Sequence, residues 1–450
     1  MTNLSKTSIQ KINELLDLLK GVLIQKDSSP EPLEKFQNRY LKISSEEKLG
    51  LFEAIVEKFE IKREDLEDEL RRLAILPEKE GHLWQSGLSR LRRKVESPRL
   101  RILRHFLNIS GGLKFLLDFR ADLIAAQRQT QVDLEPLDED LSQLLNFWFQ
   151  SGFLFLREIT PESSYRQIRF LKNHDFVHPM ASLEEMGDRL GRDRRCFALY
   201  HRAMPEEPVV FIEAALTRGI AASIHDIIEK NDPSGGEKKA PDTAIFYSIN
   251  NTQNGLAGLG LGKILIFQVV EALKKSDPDI KVFATLSPIP GFWERYLRPI
   301  LKGEDGPFLL KRQKVEEFFP KKVLPALLEA GRGTALEKPL DLSGALLKIL
   351  SDPEWIENSV ILKLLKEPMT ALTYHYLAKE KDRRGRPLNP VANFHLANGA
   401  GLLLKNVRFA ANQSPRGLME SCGMMVNYLY SPTWLQQISR TMQALLPWRT

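Results

Sequence analysis

Three stretches of this 450-residue chain carry residue types that could do chemistry together. The first is Gly255-Leu256-Ala257-Gly258-Leu259-Gly260-Leu261-Gly262, a glycine-dense run followed by Lys263 and a helical pattern. The second is Leu286-Ser287-Pro288-Ile289-Pro290-Gly291-Phe292, which puts a hydroxyl where a strand should end and a rigid turn begin. The third is Asn389-Pro390-Val391-Ala392-Asn393-Phe394-His395. Glycines let the backbone come close to a ligand, and the start of a helix directs unpaired N–H groups at an anion. An imidazole is the side chain best suited to moving a proton near neutral pH. An anion-holding loop, a hydroxyl and an imidazole together suit an acyl-phosphopantetheine compound whose carbon is to be protonated.

Each stretch also has a plainer reading. The loop lacks the Lys-Ser/Thr ending of a P-loop, and its spacing is not that of a dinucleotide fingerprint. It reads either as an anion site or as a tight connection with packing glycines. Ser287 alone would be a turn or cap residue. It stands, however, at the carboxyl end of an expected strand, where open α/β sheets place ligands, and Pro288 and Pro290 stiffen the loop around it. His395, one of eight histidines, is either a proton carrier or a satisfied structural residue. His174 and His178 have metal-like spacing but lack the glutamate of a zinc-protease motif and run straight into Pro179, so no metal site is expected. No Gly-x-Ser-x-Gly elbow is present, which argues against an α/β-hydrolase.

The elements that must position these residues fall into two regions. Residues 1 to about 150 read as helical throughout. Leu15, Leu16, Leu18, Leu19, Val22 and Leu23 crowd a first segment. Leu51, Ile55, Val56 and Phe59 recur at helical spacing after the polar start Ser45-Glu46-Glu47, and Leu66, Leu70, Leu73 and Leu76 continue until Pro77. A further helix follows Gly111-Gly112. This is an all-α bundle suited to assembly. Residues 151–450 change character. Strands are expected at Cys196 to His201, Pro208 to Leu216, Thr243 to Ile249 and Lys281 to Leu286, with a polar loop at Asp232 to Gly236. A helix from Lys263 to Lys275 lies between the last two strands, and that crossover makes them parallel. The fold class is therefore α+β, an N-terminal helical bundle followed by an α/β catalytic domain.

Composition bounds the rest. With 43% hydrophobic and 27% charged residues the chain is globular. Its net charge of +6 fits anionic ligands but does not by itself indicate nucleic acid. The densest basic stretch, Arg90 to Arg104, has no recognition module beside it and reads as a helix face or subunit contact. Two cysteines, Cys196 and Cys422, give no disulfide framework. No apolar run is long enough to span a bilayer. Glu14 and Asp17 inside the first leucine-rich segment are unlike a signal or transit peptide, so a cytoplasmic protein is expected.

The chain resembles the malonyl-CoA decarboxylases. The resemblance rests on Gly112 to Leu123 (GLKFLLDFRADL), Phe147-Trp148-Phe149 with Gly152-Phe153-Leu154, Arg195-Cys196-Phe197, Ala244 to Ile249, Leu286 to Phe292, Leu388 to Leu396, Gly399-Ala400 and Ser421 to Tyr428 (SCGMMVNY). These run in family order from about residue 85 to 430. The resemblance implies a catalytic domain of the acetyltransferase-type (GNAT) fold, with the glycine loop holding the coenzyme A pyrophosphate between splayed parallel strands. It implies Ser287 and His395 as catalytic residues, and Ala257, Gly258, Leu259, Gly260, Leu261, Gly262 and Lys263 as the acyl-CoA loop. Some relatives carry glutamine and glutamate where this chain has Ala257 and Gly260, so backbone contacts are implied there. Asn393 and Tyr428 join as pocket candidates, with Phe292 and Phe394 as apolar walls. Arg383, Arg384 and Arg386 could meet the coenzyme's 3′-phosphate or form a solvated loop. The expected substrate is malonyl-CoA, with no metal, biotin or pyridoxal because the thioester is itself the electron sink. A homotetramer is implied, with neither a nucleic-acid nor a membrane partner. The competing expectation is a GNAT-type acyltransferase that passes an acyl group from CoA to an amine.

Overall fold

The computed structural model describes residues 4–24, 29–75, 81–191, 193–228, 240–332 and 341–431. The expected loop at Asp232 to Gly236 and the helix stop at Leu76 and Pro77 lie outside them. Contacts divide the chain into two compact units. One comprises Met1–Phe155, Tyr200–Val209 and Asn251–Leu261, the other Leu156–Leu199, Val210–Asn250 and Gly262–Thr450.

The first unit is built on helices, among them Lys6–Ile24, Glu31–Tyr40, Ser45–Lys58, Pro98–Phe106, Gly112–Gln127 and Glu135–Trp148. The polar start read before Leu51 is a capping box. Ser44 Oγ accepts from the Glu47 N–H at 3.2 Å, and the Glu47 carboxylate accepts from the Ser44 N–H at 2.9 Å. Each bond satisfies a backbone donor that the first helical turn leaves orphaned. The apolar faces meet in an aromatic core in which Phe36, Tyr40, Phe52, Phe106, Phe115 and Phe119 touch in pairs. Part of the basic stretch serves this unit internally. Arg99 is buried, donates to Asp140 at 2.8 Å and reaches the Phe59 carbonyl at 3.1 Å, while Arg90 pairs with Glu69 at 2.8 Å.

The strands in chain order are β1 (Leu154–Ile159), β2 (Arg194–His201), β3 (Met204–Thr217), β4 (Thr243–Asn251), β5 (Val282–Thr285), β6 (Ser287–Pro288), β7 (Ala400–Gly401), β8 (Val407–Arg408), β9 (Met425–Val426) and β10 (Leu429–Tyr430). Seven make one sheet, ordered β1-β2-β3-β4-β5-β10-β7, and three make a small one, ordered β6-β9-β8. As expected, β4 and β5 are parallel, with Thr243 opposite Val282 and Phe246 opposite Thr285. Between them runs the crossover helix Leu261–Ser276. This strand–loop–helix–strand order is the acetyltransferase-type arrangement implied by the resemblance. Near-continuous apolar runs such as Val209-Val210-Phe211-Ile212 are what a central strand covered on both faces requires.

In the second unit Arg189 ties together buried acids. It donates to Asp175 at 2.8 Å, to Glu213 at 3.3 Å and to Glu185 at 2.8 Å. Burial, with Asp175 beside it, pushes the Glu213 carboxyl up to about 7. His178 is half-buried in the same region with its Nε2 enclosed, and desolvation lowers its pKa to about 4. Among the described residues no group of side chains is arranged to hold a metal ion, and no helix is long and apolar enough to cross a membrane.

Candidate active site

Strand β5 ends at Thr285, and one residue later Ser287 opens β6. The two strands belong to different sheets, and the chain passes from one to the other at Leu286. His395 lies in the last turn of a short helix, Pro390–Ala397. Asn389 caps that helix, its Oδ1 accepting from the N–H groups of Val391 at 3.0 Å and Ala392 at 2.9 Å. Proline at the first helical position has no N–H to satisfy, which is why Asn-Pro starts a helix well. The Asn389 side chain also donates to the Pro290 carbonyl at 3.2 Å. One buried amide therefore fixes both the helix that carries the imidazole and the loop that carries the hydroxyl.

The result is a direct contact across 108 residues of sequence: His395 Nε2 lies 3.2 Å from Ser287 Oγ. Ser287 Oγ itself donates to Thr285 Oγ1 at 2.9 Å, and that same oxygen accepts the Tyr428 N–H at 3.0 Å. With the serine proton directed to Thr285, Ser287 is free to accept from Nε2, which matches the tautomer with the ring proton on Nε2 and a bare Nδ1. Nδ1 lies 2.9 Å from the Tyr430 hydroxyl, which then donates to it. Tyr428 stacks on the ring at 4.7 Å, and Phe394 meets it edge-on at 5.0 Å. His395 is only 4% exposed, and burial lowers its pKa to about 3. Burial thus favours the neutral imidazole in the empty site.

The glycine loop divides between two tasks. Gly258 and Gly260 have φ of 81° and 69°, and a side chain there would meet nothing within 4 Å, so the loop bends through conformations that glycine adopts freely and faces open space. Gly255 and Gly262 are packing glycines. A Cβ at Gly255 would lie 2.0 Å from the Leu117 carbonyl, and one at Gly262 would lie 2.4 Å from the Phe394 ring. The packing reading thus holds at Gly255 and Gly262, while Gly258 and Gly260 leave the backbone uncovered. Within the first unit Arg120 clamps the loop. It donates to the carbonyls of Gly255 at 2.5 Å and Ala257 at 2.9 Å, and its Nε binds Asp138 at 2.8 Å.

A family model described as "Malonyl-CoA decarboxylase C-terminal domain" matches residues 152–444. A second, described as "Malonyl-CoA decarboxylase N-terminal domain", matches residues 59–149. The chain belongs to the malonyl-CoA decarboxylase family. It is 36% identical over 366 residues to the mitochondrial malonyl-CoA decarboxylase of Anser anser anser, a match covering 79% of this chain and 69% of that protein. It is also 36% identical to the Rattus norvegicus enzyme of the same name, covering 74% of this chain and 65% of the relative. The chain thus spans about two thirds of these relatives. A crystal structure of malonyl-CoA decarboxylase from Rhodopseudomonas palustris matches with a TM-score of 0.75 at 28% identity, covering 97% of this chain and 96% of that one.

Of the residues expected in this malonyl-CoA decarboxylase family site, Ser287, His395 and Tyr428 come together, with Phe394 beside them. Phe292 packs instead against Tyr296 and Tyr376, at the start of a π-helical turn over Phe292–Leu297. Asn393 is half-buried inside the His395 helix, and Lys263 is exposed. Arg386 pairs with Asp382 at 2.8 Å in an exposed turn. Four residues with clear roles were not singled out from the sequence: Tyr430, Thr285, Asn389 and Arg120. Tyr430 follows Tyr428 by two and Thr285 precedes Ser287 by two, but no single strand carries either pair, so alternation could not have found them. Arg120 was a charge among Leu116, Leu117, Phe119 and Leu123, an anomaly in an apolar helix face.

Proposed function

We propose that this chain releases the free carboxylate of malonyl-CoA as CO2 to leave acetyl-CoA, with His395 as the proton donor and Ser287 as its positioning partner. The observation that carries this reading is the place of Thr285 Oγ1 beside the Ser287–His395 contact. An acylating serine must give its proton to the imidazole. Here the serine hydroxyl has Thr285 Oγ1 as a second partner at 2.9 Å beside the imidazole at 3.2 Å, and in this proposal its proton goes to Thr285 while the imidazole donates to the serine. That is an arrangement for delivering a proton, not for making a nucleophile.

The chemistry follows from charge. When the bond from C2 to the carboxyl carbon breaks, its electron pair delocalises into the thioester carbonyl. A malonyl carboxylate against His395 raises the imidazole pKa by opposite charge, offsetting the desolvation that keeps the empty site neutral. The ring then takes one proton from solvent at Nδ1, facing the Tyr430 oxygen, and passes its Nε2 proton to C2. Once acetyl-CoA leaves, Nε2 regains a proton from solvent and the Nδ1 proton returns through the Tyr430 hydroxyl, so one solvent proton is consumed per turnover and the ring ends in its starting tautomer. By turning its proton from Thr285 to the substrate, the Ser287 hydroxyl can bond the developing enolate oxygen. The buried, aromatic surroundings of His395 favour departure of neutral CO2 over retention of a carboxylate.

In the same proposal residues Ala257 to Lys263 hold the coenzyme pyrophosphate through backbone N–H groups, at the start of the helix Leu261–Ser276. Replacing Arg120 with leucine removes two charge-assisted bonds from the loop, each worth about 1.5–3 kcal/mol. It should raise KM and the CoA dissociation constant about tenfold while changing kcat by less than about threefold, as read by CoA titration beside steady-state kinetics.

Because burial holds the free imidazole neutral down to about 3, kcat/KM should lack the ordinary histidine inflection near 6.5. A plot over about pH 5 to 8 checks this. The depressed pKa also means that His395 contributes to stability above 6.5, and that this contribution fades as the pH falls through about 3.

The deciding assay is malonyl-CoA with no acceptor present. Equal release of acetyl-CoA and CO2 is expected, and a requirement for an added amine would instead favour the acyltransferase reading. A homotetramer completes the proposal, and sedimentation should give four times the chain mass of 51.5 kDa.

A further inference from the structure

A groove of about 520 Å³ lies in the second unit, lined among others by Lys366, Lys405, Arg408, Glu367 and Phe409. It presents three cationic side chains against one carboxylate. Arg408 is half-buried, and among the described residues no carboxylate pairs with it. Its Nε donates to the side-chain oxygen of Asn427 at 2.5 Å. Burial without a counter-charge holds its guanidinium below the usual arginine range. Such a group gains from any anion that joins it, and its planar fork matches the oxygens of carboxylate or phosphate.

The groove also connects to the serine. Asn427 is fully buried, and its amide donates to the Thr285 carbonyl at 2.6 Å and to the Ala221 carbonyl at 3.1 Å. Thr285 in turn accepts the Ser287 hydroxyl at 2.9 Å. The small sheet joins the same points, with Ser287 opposite Val426 on β9 and Val426 opposite Val407 on β8. Arg408, Asn427, Thr285 and Ser287 form one unbroken line of contacts.

We propose that this groove is a second anion site, for a small molecule bearing a phosphate or carboxylate group, and that its occupancy is sensed at Ser287 through Asn427 and Thr285. The binding half stands on the groove alone, and the kinetic half rests on the decarboxylase reading. An anion that draws the guanidinium toward itself loosens or reorients Asn427 and thereby changes the hold on Thr285. Coupling of this kind is reciprocal, so substrate at Ser287 shifts anion affinity by the same factor.

The experiment is calorimetric titration of the full chain with inorganic phosphate and, separately, malonate. Wild type is compared with Arg408→Gln and Lys366→Gln, and kcat for malonyl-CoA is measured at each anion concentration. Saturable binding of at least one anion is expected, weakened about tenfold by Arg408→Gln and about threefold by Lys366→Gln, with kcat changing at least about twofold in wild type only. The two titrations separate the phosphate and carboxylate head groups. Lys366 is exposed, so its variant keeps the test intact if Arg408→Gln fails to fold. No saturable heat with either anion, affinity unchanged in both variants, or full displacement by CoA would overturn the site. Binding without any change in kcat would overturn the link to Ser287. Intact anion binding in a chain that never turns over malonyl-CoA would support the site while sinking the decarboxylase reading.

Discussion

His395→Gln is expected to lower kcat for malonyl-CoA about a hundredfold to ten-thousandfold, while CoA affinity stays within about threefold. Glutamine nearly fills the space of the ring and keeps an N–H to offer Ser287, but it cannot gain and lose a proton. A purely structural histidine would behave differently, because a glutamine that preserved its bonds would preserve turnover. The ring is enclosed by Tyr428, Phe394 and Tyr430. Acetyl-CoA release under saturating substrate, with a CoA titration alongside, checks both halves. A kcat within about tenfold of wild type would remove His395 from the chemistry.

Ser287→Ala should reduce kcat about a hundredfold to a thousandfold, the loss of one preorganised donor at a developing oxyanion, about 3 kcal/mol. The change leaves the Nε2 proton without an acceptor and Thr285 Oγ1 with only the Tyr428 N–H. The ring then loses the partner that fixes its tautomer, and the enolate oxygen loses a hydroxyl. These are two losses from one atom, so KM should change less than kcat. Because the two residues act on one proton, the double variant Ser287→Ala with His395→Gln should be scarcely slower than the slower single variant. Rate losses that simply multiplied would show that the two side chains act separately.

Much of this site could be read from sequence where the signal was local. The glycine run before a helical pattern, the parallel pairing across a crossover and the serine followed by Pro288 and Pro290 each carry their own backbone chemistry. What could not be read was tertiary. Arg120 sits more than a hundred residues before the loop it clamps, and nothing in its helix says which carbonyls it will meet. Strand β10 is two residues long, too short to show alternation, yet it sets Tyr430 against the imidazole. The protonation state of His395 was also out of reach, because it depends on burial rather than on neighbours in the chain. Asn389 was the exception that local rules could have found, since Asn followed by Pro is a helix start on sight.

Malonyl-CoA turned over in D2O, followed by mass spectrometry of the acetyl-CoA, asks directly whether His395 delivers a proton to C2. Wild type should give acetyl-CoA carrying one solvent deuterium, in step with CO2, and His395→Gln should give almost none in the same time. Acetyl-CoA appearing at the wild-type rate from His395→Gln, or no acetyl-CoA from wild type at micromolar enzyme, would contradict it.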